Sequence, residues 1–168
     1  MSFWTFSDVF EENGPFREPL NGGFGLVGVE GIKKPSFYAF SLLHKLGDKR
    51  LANTSEHVIV TRRADQAVVV AVWSLSPPDK AASARILDLE FRGFPKNQRV
   101  LISRVDETNG NARAAYAEIG KPRYPTQKQV AKMDRETALK PAETVSLENG
   151  HLKLTIPVNG LAVVEIGD

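Results

Sequence analysis

A chain of 168 residues, 42% hydrophobic and 25% charged, has ordinary globular composition. It is long enough for a domain with its own core, and it is not a disordered tail. Its 22 basic and 20 acidic residues leave a net charge of +2 with no cysteine; with no basic run to gather that charge, nucleic-acid binding gets little support, and a disulfide framework or thiolate metal site is excluded. No stretch approaches the roughly 20 apolar residues of a membrane span, and the first residues show no basic flank and apolar core of the signal-peptide kind.

The chain opens on Phe3-Trp4-Thr5-Phe6, residues that favour the extended state, and then breaks into Asp8, Glu11 and Glu12. Gly14-Pro15 is a turn signal that stops any helix started from Glu11, so a short strand ending in a polar loop is expected. Asn21-Gly22-Gly23-Phe24-Gly25-Leu26 follows as a glycine-rich loop. Pro35 suits the first position of a helix, in which Phe37, Phe40, Leu43 and Leu46 recur at helical spacing until Gly47 supplies a C-cap. Such a stripe packs on a neighbouring element more readily than it builds a cofactor site.

From about His57 the pattern changes to short strand-like runs: 57–62, 67–74, 84–91, 98–106, 143–147, 151–156 and 161–166. Their number and alternation predict a mainly β fold, an antiparallel β-sandwich. Turn chemistry agrees, with Ala64-Asp65, Pro77-Pro78, Gly93 with Pro95 and Asn149-Gly150 between runs; Asn-Gly between strands is a strong hairpin signal. Two helices interrupt the runs. Residues 111–119 are alanine-rich, and Thr126-Gln127-Lys128-Gln129 matches a capping box, with Val130 and Met133 on one face of the helix that follows. The change of period places a border near Gly47 to Glu56, giving residues 1–50 and 51–168 as the two parts.

Asp8, Glu11 and Glu12 lack the alternating oxygen spacing of a calcium loop, and His44, His57 and His151 stand far apart with no ligand spacing. No nucleophile elbow or phosphate loop appears, and the Gly22–Gly25 run suits a tight loop better than a nucleotide cradle. No cofactor or metal is expected. Asn53-Thr54-Ser55 fits a glycosylation triplet, which arises often by chance.

The opening motif, the glycine-rich loop and the helix start Gly31 to Phe40 together resemble the final β/α unit of the catalytic barrel in glycoside hydrolase family 39, whose best-known members are β-xylosidases. The resemblance runs on through Arg104-Val105-Asp106, Asn109 and the block Gly120 to Thr126, to the closing Leu161 to Ile166. It implies the last strand, loop and helix of a (β/α)8 barrel followed by a sandwich domain. Retaining glycosidases need two carboxyl groups roughly 5 to 5.5 Å apart, one nucleophile and one acid/base. The family carries them on the fourth and seventh barrel strands, whereas this chain starts at what looks like the eighth. Since a barrel takes about 250 residues, the resemblance implies a C-terminal part in which no residue matches either catalytic glutamate.

What the resemblance does carry over is a tryptophan and a glutamate that contact sugar near the end of this strand, matched here by Trp4 and Glu11. The plainer alternatives are Trp4 as core and Glu11 with Glu12 as a solvated turn. Carbohydrate is then met through the complete enzyme, and the barrel-facing side chains Phe3, Trp4, Phe6, Phe37, Phe40, Leu43 and Leu46 form an apolar surface suited to homo-oligomer formation. A different class of function is a free-standing sandwich that binds carbohydrate or a protein partner, with Trp73 as its platform. Alternation puts Trp73 on the side of Val69 and Ala71, which favours burial.

Overall fold

The computed structural model describes residues 4–9, 18–20, 22–77 and 79–167. Phe3, Glu11, Glu12, the Gly14-Pro15 turn, Asn21 and Pro78 therefore lie outside the described residues. The protein is mainly β, with three short α-helices and a single 3-10 turn among the described residues. It divides into two compact units, residues 1–40 with 108–139 and residues 41–107 with 140–168.

The second unit is the antiparallel sandwich. Each of the seven strand-like runs forms a strand: β2 (Val58–Arg62), β3 (Val68–Ser74), β4 (Arg85–Glu90), β5 (Arg99–Val105), β6 (Glu143–Ser146), β7 (His151–Ile156) and β8 (Gly160–Ile166). They are joined by β1 (Lys49–Leu51), a short polar strand that alternation does not reveal. Six strands make one sheet in the order β1-β2-β3-β8-β5-β6, and β4 with β7 makes the second. β1 is an edge, with Lys49 opposite Arg62 and Arg50 opposite Thr61, and its charges discourage pairing with a further strand.

Alternation decides what lies between the sheets. Val68, Val70 and Val72 of β3, Val100 and Ile102 of β5, and Ala162, Val164 and Ile166 of β8 pack with Leu152, Leu154 and Ile156 of β7. Leu87 and Leu89 of β4 add half-buried cover while Ile86, Asp88 and Glu90 face outward. The central strands β3 and β8 are buried on both faces, so Val69, Ala71 and Val163 are fully enclosed as well. That explains why β3 reads as one continuous β-branched run instead of an alternating one. Asn149 and Gly150 both take positive φ, at 54° and 87°, in a two-residue turn closed by a single Glu148–His151 bridge; β6 and β7 then pass into different sheets, so the Asn-Gly pair makes a tight turn between sheets and not the expected strand hairpin.

The first unit contains α2 (Ala112–Glu118) and α3 (Gln127–Thr137). Asn111 caps α2 by accepting from the Arg113 N–H, and α3 opens on the full capping box, Thr126 and Gln129 each satisfying the other's backbone N–H. Their buried faces, Ala112, Ala115, Tyr116 and Met133, close around Ile32, with Val130 partly buried beside them. Burial pushes the Tyr116 hydroxyl above its usual value, and Glu18 adds to the shift.

Helix α1 (Pro35–Leu43) starts where expected but differs in two respects. Its most buried side chains are Tyr38 and Leu42, while Phe37 and Leu43 are half-buried and Phe40 is 46% exposed. The run 37–43 is apolar almost all round, so its spacing could not select a face. Burial pushes Tyr38 above the ordinary phenol value, opposed by the nearby Lys33 charge. Gly47 is not a left-handed cap either. Its N–H donates to Thr61 Oγ1 at 2.8 Å, and a Cβ there would collide with the backbone of Arg62, so the position needs glycine for close approach.

Candidate active-site segment

The described part of the opening segment forms no regular strand: bends at Trp4, Phe6 and Asp8 flank a single parallel bridge. Ser7 bridges Val27, flanked by hydrogen bonds from Leu26 N–H to the Thr5 carbonyl, Val27 N–H to the Phe6 carbonyl, and Asp8 N–H to the Val27 carbonyl. The Trp4–Thr5 peptide bond is cis. Val27 in turn bridges Lys33, which brings the chain round to the start of α1. The opening segment, the glycine-rich loop and the helix start, three separate pieces in sequence, are thus one hydrogen-bonded assembly.

Its centre is Asp8, which is fully buried. Oδ1 accepts from the Gly25 N–H at 2.7 Å, and Oδ2 lies 2.5 Å from Lys34 Nζ, a charge contact in place of an aligned hydrogen bond. Lys34 is itself mostly buried and donates to the Gly23 carbonyl at 2.8 Å. Gly25 has no room for a side chain, since a Cβ would run into the backbone of Ser7 and Asp8. A carboxylate so enclosed is out of reach of a sugar. Of the acidic residues Asp8, Glu11 and Glu12, Asp8 is thus taken up in holding the fold. Among the described residues no group of three His, Cys, Asp or Glu side chains could hold a metal ion.

Trp4, one of the two site residues expected from sequence, is 67% exposed, so it is no core residue of this chain. Phe6, Val9 and Phe24 are each about two-thirds exposed as well. Glu11, the second, lies outside the described residues. The contact between Lys34 and Asp8 was not legible in sequence: the two stand 26 positions apart, and nothing local marks a buried partner. Trp73 of the sandwich is half-buried, with His57 edge-on at 6.5 Å between ring centroids. His151 pairs with Asp88 across β4 and β7 at 3.0 Å, and His44 is exposed.

A bridged segment and glycine-rich loop leading into a helix, in a chain that also builds an antiparallel sandwich, accords with the glycoside hydrolase resemblance read from the sequence. The chain belongs to glycosyl hydrolases family 39, which residues 1–151 match. It is 34% identical over 98% of its length to a β-xylosidase of Geobacillus stearothermophilus, and 29% identical over 83% to one of Caldicellulosiruptor saccharolyticus. It spans about a third of the length of these curated relatives, 33% and 30% respectively. A crystal structure of a monomeric β-xylosidase from Caulobacter crescentus CB15 superposes with a TM-score of 0.82 at 26% identity, covering 99% of this chain and 37% of that one. The family-39 enzyme of Xanthomonas axonopodis pv. citri gives 0.78 at 23% identity, covering 99% and 36%, a likeness of fold.

Proposed function

We propose that this chain is the C-terminal part of a β-xylosidase-like glycoside hydrolase that cleaves O-glycosidic bonds in xylo-oligosaccharide-type substrates, and that the part itself is non-catalytic. Residues 1–50 supply the last strand, loop and helix of the barrel, and residues 51–168 carry the strands of the sandwich that braces it, with α2 and α3 as an excursion that belongs to the first compact unit. Trp4 offers a flat apolar face to the C–H face of a sugar ring, and the Glu11 carboxylate accepts from two hydroxyls. The observation that carries this is the engagement of Asp8: the one described carboxylate of the site segment is fully buried and bound on both oxygens. With Asp8 buried in an ion contact, the proposal places acid and nucleophile on other barrel strands, in keeping with a chain that spans a third of its relatives.

An assay of the isolated chain with an aryl β-xyloside tests it, and the expected result is no turnover above the buffer rate. Turnover that disappears on changing Glu11 or Glu12 would overturn the proposal and restore a local carboxylate pair.

A further inference from the structure

Phe24 combines two properties that seldom go together. Its ring is 66% exposed, yet the peptide groups on both sides of it are tied to buried charges. The Gly23 carbonyl accepts from Lys34 Nζ at 2.8 Å and the Gly25 N–H donates to Asp8 Oδ1 at 2.7 Å. The two charges then close on each other, and Gly25 lies flat against the backbone of Ser7 and Asp8.

A side chain meant for packing is ordered by its own burial. An exposed one gains nothing that way, and a buried ion pair is a costly means of holding a surface loop. Ordering the loop in advance serves a ring that must be in place before its ligand arrives, because the entropy of fixing it is then not charged against binding. The loop also ends beside Ser7 and Asp8, on the same short segment that carries Trp4.

We propose that Phe24 is a sugar-contacting residue, an apolar platform for the C–H face of a neutral pyranoside, and that Asp8 and Lys34 are positioning residues acting through it. This rests on the chain serving a glycoside hydrolase as proposed above. An aromatic contact of this kind contributes about 0.5 to 1.5 kcal/mol, which converts to a change of roughly three- to ten-fold in apparent affinity.

The test uses the complete enzyme, with this chain joined behind the barrel of the Geobacillus stearothermophilus relative, and follows aryl β-xyloside hydrolysis. Phe24→Ala is expected to raise KM about three- to ten-fold with kcat and the melting temperature little changed, and Phe24→Trp to restore KM. Lys34→Met, which keeps the ring but frees the loop, is expected to raise KM in the same direction. Trp4→Ala serves as the reference. If Trp4→Ala raises KM and Phe24→Ala leaves it at the parent value, the inference falls while the proposed function stands. A lowered melting temperature with unchanged KM also overturns the inference, since Phe24 then only packs against the barrel. A folded but inactive parent enzyme removes the proposed function and the inference with it.

Discussion

Replacing Glu165 by alanine is the sharpest test of how the sandwich is held on its outer face. Glu165 sits on β8 with its side chain only 15% exposed, accepting from Lys45 Nζ at 2.6 Å and from Arg63 Nη1 at 2.9 Å. Lys45 comes from the turn after α1 and also reaches Ser103 Oγ at 3.2 Å, while Arg63 closes the β2–β3 hairpin. One carboxylate therefore fastens two separate loops to the sheet. A hydrogen bond to a charged group contributes about 1.5 to 3 kcal/mol when protected. Both cations here are about a third exposed, and screening reduces each bond to about 1 kcal/mol. Arg63 keeps Asp65 as a second partner, but Lys45 loses its only carboxylate among the ion pairs described. The total is about 2 kcal/mol, and for a chain of this size each kcal/mol moves the melting temperature by about 2 to 4 °C. Thermal unfolding followed by circular dichroism should then fall by about 4 to 8 °C, and Glu165→Gln, which keeps an acceptor, by about half of that. A Glu165→Ala melt within about 1 °C of the parent would refute the argument and mark the cluster as solvated surface charge.

Thr126→Ala removes the cap of α3 and should cost about 1 kcal/mol, seen as faster amide exchange at Gln129 and its neighbours; unchanged exchange would mean the helix is held by Met133 alone. Asp65 is held below the ordinary carboxylate value, first by its hydrogen bond from Arg63 and then by the Ala67 N–H. Its contribution is therefore present above the unfolded value, about 3.9, and is lost as pH falls through the lower folded value. Asp65→Asn should flatten that part of the acid unfolding curve, and an identical curve would count against the hairpin bond. The open side chains of Trp4, Phe6, Val9 and Phe24 should drive the isolated chain to self-associate, given roughly 1.5 to 3 kcal/mol for each large apolar side chain fully buried. Light scattering that shows a clean monomer at high concentration would contradict this.

The sequence by itself determined the elements whose causes are local. The β-branched runs became strands because residues two apart share a face, and Asn149-Gly150 became a tight turn because both positions take positive φ, although the strands it joins go to different sheets. The capping box of α3 appeared as read, since its partners stand three residues apart. The motif marked Trp4 as a candidate, and of its two expected states, core or open, the fold takes the open one. The rest depends on groups that meet only after folding. The short strand β1 is specified by its neighbour β2 more than by its own residues. The buried side of α1 is set by what lies against it, because the helix is apolar on nearly every side. Gly47 is required by an approach to Arg62, fifteen residues on, and Asp8 owes its role to Lys34 and Gly25. A charge in a sequence carries no sign of whether it will be solvated or enclosed; desolvation and the arrival of a distant partner decide that, and both are properties of the folded chain.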